Sequence, residues 1–197
     1  GMKGAHIVDF GVGQDNYKLQ YQTNNIAGNW LTDSAGSLAS NVGGRTQTNS
    51  LWAQDAWAFA PRWKTVLGAR VEQWRAFNGQ TAFSASSALT YPDRKETYVS
   101  PKAALSFQWT PDTVLKASTG RAVRMPTVGE LYGATSTTNS QYINDPNLKP
   151  EKSWTTELTA EKDYGDAVAR VTFFTENTRD SLYSQTVFDA TALKNIS

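Results

Sequence analysis

The sequence contains no cysteine and a single histidine, His6. The first absence excludes a disulfide framework, a thiolate metal site and a cysteine nucleophile, while leaving the cellular compartment open. The second leaves too few ligands for an ordinary zinc enzyme. No stretch approaches the ~18 consecutive apolar residues of a membrane-spanning helix, so a helical membrane protein is ruled out. An excess of one charge is also lacking. Nineteen Lys and Arg stand against eighteen Asp and Glu, a formal net charge of +1, which gives no basic surplus for nucleic acid. The start, Gly1-Met2-Lys3-Gly4, has no apolar core of a secretory signal. A glycine ahead of the methionine reads as a cloning remnant at an engineered or truncated start.

What is present is aromatic. The 197 residues, long enough for one domain over 1–197, include 12% aromatic residues and seven Trp, yet the mean hydropathy is −0.51. Alternation reconciles the two. In Lys102-Ala103-Ala104-Leu105-Ser106-Phe107-Gln108-Trp109 the odd positions are apolar and the even ones mostly polar, the period-two signature of a strand with unlike faces. The same phase runs through Leu67, Ala69 and Val71, through Leu115 and Ala117, through Leu158 and Ala160, and through Ala169, Val171 and Phe173. The pattern predicts an all-β antiparallel up-and-down meander of about eight strands, at 5–23, 45–60, 63–77, 94–110, 113–125, 151–163, 167–179 and 181–193.

The connections alternate in length. Ala60-Pro61-Arg62-Trp63, Thr110-Pro111-Asp112-Thr113 and Asp163-Tyr164-Gly165-Asp166 are tight turns built from Pro, Gly and Asp. Between them lie long polar stretches at 24–44, 78–93 and 125–150. Tight turns at one end and long loops at the other are the pattern of part of an outer-membrane β-barrel, whose periplasmic turns are short and external loops long. Trp57, Phe59, Trp63, Trp109 and Tyr164 cluster beside the short turns, where an interfacial aromatic girdle belongs. Strands longer than the ~9–11 residues that cross a bilayer favour a large barrel. In that barrel Leu67, Ala69, Val71, Leu105 and Phe107 would meet lipid, and Arg70, Glu72, Lys102 and Gln108 would face the lumen.

No catalytic constellation emerges. His6 has no identifiable partner set, Gly11-Val12-Gly13 lacks the third glycine and helix of a nucleotide loop, and Glu157 with Glu161 reads as lumen lining rather than a glycosidase dyad. Neither cofactor nor metal site is predicted.

One segment carries identity. Arg124-Met125-Pro126-Thr127-Val128-Gly129-Glu130-Leu131-Tyr132 is followed by Asn144-Asp145-Pro146-Asn147-Leu148-Lys149-Pro150-Glu151-Lys152-Ser153 and then Glu157. This resembles the barrel signature of TonB-dependent outer-membrane receptors, with Asp145 as an insertion inside it. Leu51 to Asp55, Leu67-Gly68-Ala69-Arg70, Ser100-Pro101-Lys102 and Val171 to Leu182 resemble neighbouring family strands.

The resemblance implies a receptor of the Gram-negative outer membrane, not an enzyme. Such a receptor takes up ferric siderophores or other metal chelates and draws energy from the TonB complex. It further implies a plug, a TonB box and more strands, none of which has a counterpart in these residues. Arg124, Pro126, Glu130, Leu131, Pro146, Leu148, Lys149, Pro150, Glu151, Ser153 and Glu157 are the motif positions, read mainly as shaping the wall, with Arg124 paired to Glu151 across the loop mouth. For ligand contact the loop aromatics Trp30, Tyr91, Tyr132 and Tyr142 are the candidates. A passive pore or structural barrel and a soluble β-domain with barrel-like sequence are the alternatives.

Overall fold

The structure, a computed structural model, describes residues 2, 3, 5–137, 140–182, 185–188 and 193–196, with side-chain surroundings for 5–134 and 142–182. The elements in chain order are β1 (Met2–Lys3), β2 (His6–Asn24), β3 (Leu38–Ala60), β4 (Trp63–Ala82), β5 (Leu89–Thr90), β6 (Arg94–Thr110), β7 (Thr113–Arg124), α1 (Val128–Tyr132), β8 (Ala134–Thr137), β9 (Ser140–Asn144), β10 (Glu151–Asp163), β11 (Val168–Arg179), β12 (Gln185–Phe188) and β13 (Leu193–Ile196).

One large sheet runs β1-β2-β3-β4-β6-β7-β10-β11, each strand antiparallel to its neighbour, with β5 appended to β4. This is the predicted meander, and among the described residues the sheet does not close on itself. Turn chemistry follows the residues. At the β10–β11 turn Gly165 adopts φ +86, a left-handed conformation that costs glycine nothing, and its N–H donates to Asp163 Oδ1 at 2.8 Å. At the β6–β7 turn the Thr110 and Thr113 hydroxyls donate to the Asp112 carboxylate and hold it below the usual carboxylate range, Thr110 first.

Differences from expectation concern the long loops. β3 begins at Leu38 and β4 continues to Ala82, because pairing between them persists past a bulge to Asn41↔Ala82, with the poor strand formers Gly44 and Gly79 taken up at the bulge itself. The stretch 125–150 holds α1 and the hairpin β8–β9. The predicted eighth strand, 181–193, does not extend the meander. Instead β12 pairs with β13, and β13 with β9, in a separate four-stranded sheet.

Register assigns the faces, since cross-strand Cα partners share a side. α1 packs on one side, touching β2, β3 and β4, which defines the inner face. Inward on that criterion lie Arg70, Glu72, Trp74 and Ala76, with Ser100, Tyr98, Glu96 and Arg94 directly opposite on β6. The outer phase of β4 reads Trp63, Thr65, Leu67, Ala69, Val71, Gln73, Arg75 from the short turn upward. Its partners on β6 read Phe107, Leu105, Ala103, Pro101, Val99, Thr97, Lys95. Leu67 and Val71 are 55% and 41% exposed, whereas Trp74 is buried at 1%, so the apolar phase is the one left uncovered. At the short-turn end His6, Trp57, Phe59, Trp63 and Phe107 form a continuous run of ring contacts, with centroids 4.4 to 6.2 Å apart. One carboxylate departs from the pattern. Asp55 lies opposite Val8 and Leu67 on the outer face, where His6 Nδ1 sits 2.8 Å from its Oδ2.

Candidate functional site

The long-loop end of the inner face is closed by the segment after β7. Pro126 and Pro150, both under 2% exposed, flank it where neither has an amide N–H to leave unpaired. Thr127 caps α1: the Glu130 N–H donates to Thr127 Oγ1 at 3.2 Å, and the Thr127 N–H donates to Glu130 Oε2 at 2.8 Å. This reciprocal capping box is written in the sequence as Thr127-x-x-Glu130, a signal that marks the helix in advance.

Arg124 then departs from expectation. It stands opposite Glu151 in the ladder, but its guanidinium donates to Glu130 Oε1 at 2.6 Å. Glu151 instead accepts from the Leu182 N–H at 3.2 Å and the Ser181 hydroxyl at 3.4 Å. The capping carboxylate lies only six residues from Arg124 along the chain, and Arg124 bonds to it rather than to its cross-strand partner. Burial pushes the Glu130 carboxyl up, but the Thr127 N–H, the Arg124 guanidinium and the Thr127 hydroxyl outweigh it and hold the group below the usual carboxylate range.

The helix delivers Val128, Leu131 and Tyr132 into a cluster with Val42, Trp74, Ala76 and Leu148. Tyr132, expected as a ligand-facing loop aromatic, is 1% exposed and has no free face to offer. Its ring fills a slot over Gly44 and Gly79, where an added Cβ would come within 2.7 and 2.4 Å of it. Tyr91 stacks on it at 5.2 Å, and the Tyr132 carbonyl accepts from Thr81 Oγ1 at 2.7 Å. Burial raises the Tyr132 phenol above its ordinary value. Arg94 completes the latch, donating to the carbonyls of Pro146 and Leu148 at 2.7 and 3.0 Å and lying 5.3 Å from the Trp74 ring centroid. The inserted Asp145 accepts from the Asn147 N–H at 2.8 Å, so the insertion is absorbed as a local turn.

The other motif residues scatter. Leu131 and Leu148 are core, Lys149 is exposed, and Ser153 and Glu157 lie on the inner face opposite Ala122 and Ser118. Trp30 is 75% exposed in the loop between β2 and β3, and Tyr91 and Tyr142 are half-buried.

Below the latch the inner wall carries an open depression of about 400 Å³ whose lining includes Trp52, Gln54, Arg70, Ser100, Lys102 and Arg121. Arg70 is ion-paired to Glu72 at 2.9 Å. Cations, hydroxyl and amide donors and one indole suit oxygen-rich anionic molecules. Among the described residues no three His, Asp or Glu side chains converge on a common metal position.

A sheet with an aromatic-bordered apolar outer face, a polar inner face and a folded loop closing its long-loop end defines a segment of a transmembrane β-barrel wall. The profile of the family described as TonB dependent receptor-like, beta-barrel, matches residues 3–196, and the chain belongs to that family. The family resides in the outer membrane of Gram-negative bacteria. No curated protein sequence matches the chain. Among solved structures it is similar to the copper transporter OprC, with TM-score 0.68 and 16% identity over 98% of this chain and 30% of that one. The Serratia marcescens hemophore receptor HasR gives 0.62 and 16% over 92% and 35%. The ferric yersiniabactin uptake receptor FyuA of Yersinia pestis gives 0.61 and 14% over 99% and 28%. The chain thus spans about a third of the length of these relatives.

Proposed function

We propose that this chain forms part of the barrel wall of an outer-membrane receptor that takes up a ferric siderophore or other metal chelate in a TonB-dependent manner, without enzymatic chemistry. The observation that carries the reading is the inner wall of Trp52, Gln54, Arg70, Ser100 and Lys102 beneath the latched segment 125–150. It presents cations and hydrogen-bond donors toward the lumen, while the outer phase is apolar and exposed at Leu67, Val71, Val99 and Leu105. Membership of the receptor family supports the same assignment, as do structural relatives named for copper, heme and ferric-yersiniabactin handling. Trp30, with Tyr91 and Tyr142, supplies aromatic contacts for the chelate from the loops. Lys149 and Glu157, with the remaining motif positions, shape the wall.

The test is uptake of labelled ferric chelates by iron-starved cells carrying the full-length receptor, with and without an intact TonB system. TonB-dependent accumulation that falls in Arg70→Gln/Lys102→Gln supports the reading. Accumulation indifferent to TonB, with a standing conductance in planar bilayers, marks a passive pore. A protein recovered from the aqueous fraction marks a soluble domain.

A further inference from the structure

The outer and inner faces differ in how they handle charge. Inward, cations meet carboxylates, as in Lys116 and Arg170 on Glu161. Outward, at the long-loop end, cations meet cations. Lys18 stands directly opposite Arg45, and Arg75 directly opposite Lys95. Like charges facing each other across a sheet are destabilising, so their pairing twice in one patch is a cost that folding does not explain. The two pairs adjoin, because Arg45 faces Phe77 and Arg75 faces Gln47 on the same strands. All four side chains are exposed. Asp93 reaches Arg75 at 2.6 Å, and among the described residues no carboxylate lies within ion-pair distance of Lys18, Arg45 or Lys95. Lys152 and Arg179 also stand opposite each other on β10 and β11, but the Lys152 ammonium is paired to Asp180 at 2.9 Å and lies 5.9 Å from the inward Tyr98 ring, so that pair is not part of the patch.

Depth decides what this patch meets. From Trp63 in the girdle to Arg75 is ~40 Å of strand at ~3.3 Å per residue, or ~30 Å along the membrane normal at a strand tilt of ~35–45°. The apolar band of such barrels is ~25 Å tall. Arg75 and its neighbours therefore emerge just past the hydrocarbon, at headgroup height, above the exposed outward residues Val12, Leu51, Val71 and Val99. At that height the neighbouring molecules are lipids, and the headgroup chemistry that relieves clustered cations is phosphate, which Arg binds through paired N–H donors. We infer that Lys18, Arg45, Arg75 and Lys95 form a binding site for the phosphate groups of lipids in the leaflet on the long-loop side. The inference rests on the barrel-wall reading above.

The experiment uses the full-length receptor in nanodiscs of phosphatidylcholine doped with phosphatidic acid, a phosphomonoester lipid, with retained lipids counted by native mass spectrometry. Insertion is scored separately by quenching of Trp57 and Trp63 with brominated lipid, so a protein that fails to insert refutes the barrel reading and not this site. Phosphatidic acid should be enriched around the wild type, and Lys18→Gln/Arg45→Gln or Arg75→Gln/Lys95→Gln should cut retention about fivefold per charge removed. The inner-face variant Lys116→Gln/Arg170→Gln should retain lipid as wild type does. Retention unchanged in both outer variants, equal loss in the inner one, or displacement of the lipid by matched inorganic phosphate would overturn the site.

Discussion

The Tyr132 ring lies flat against the backbone of Gly79, so close that a Cβ at that position would stand 2.4 Å from Tyr132 Cζ. A second glycine, Gly44, completes the slot at 2.7 Å from the ring. The absence of two side chains on neighbouring strands is therefore what lets the segment after β7 pack its tyrosine against the inner face of β3 and β4.

Gly79→Ala should destabilise the receptor by ~1–3 kcal/mol through overpacking against that ring. In a Tyr132→Ala background, which itself costs ~3–5 kcal/mol, the same glycine substitution should be close to neutral. Denaturant unfolding in micelles across the double-mutant cycle measures the coupling. Additive losses would show that the slot is not the reason for the glycine.

The latch responds to acid. Glu130 titrates below its ordinary value of 4.5 in the folded protein, so its stabilising contribution is fully present above 4.5 and is lost as pH falls through the folded-state value. Glu130→Gln should flatten the acid limb of a stability-against-pH curve while leaving neutral stability lower by ~0.5–2 kcal/mol, the worth of a helix cap. An acid limb identical in both proteins would remove Glu130 from the account.

Face assignment is tested by charge insertion. Leu67→Arg or Val71→Arg, on the outer apolar phase, should cost ~2–4 kcal/mol near the bilayer midplane. Arg70→Leu removes an inward charge and breaks a part-exposed pair with Glu72, so its cost should be nearer ~1 kcal/mol. Folding titrations into lipid vesicles compare them, and a cost for Leu67→Arg no greater than that for Arg70→Leu would overturn the face assignment.

The aromatic run at the short turns should sit at one depth. Trp57 and Trp63 should be quenched most strongly by probes at the same interfacial level, with Trp109, 59% exposed, beside them. Trp74, buried under the folded loop segment, should be shielded from every depth probe. Scattered depths for Trp57 and Trp63 would contradict the girdle.

Much of this was legible in the chain. Period-two alternation is a local property, so β6 at 94–110 and β10 at 151–163 and the split between Leu67 and Arg70 could be read directly from residue order. The tight turns were equally local, each written in Pro, Gly or Asp. The Arg124 to Glu157 signature resembles the family's in residue order alone, whereas α1 lies inside the stretch 125–150 that reads as loop, although Thr127-x-x-Glu130 carries the capping-box spacing.

Tertiary structure decided the partners. Arg124 chooses Glu130 over its ladder neighbour Glu151 because the chain reverses between them, a contact that strand register alone does not forecast. Tyr132 is core because two glycines far away in sequence leave room for its ring. The opposed cations Lys18 and Arg45, Arg75 and Lys95 are unremarkable in a linear sequence, and only cross-strand register sets them face to face. Alternation fixes which side of a strand a residue occupies, but which residues meet on that side depends on pairing between segments that lie far apart in the chain.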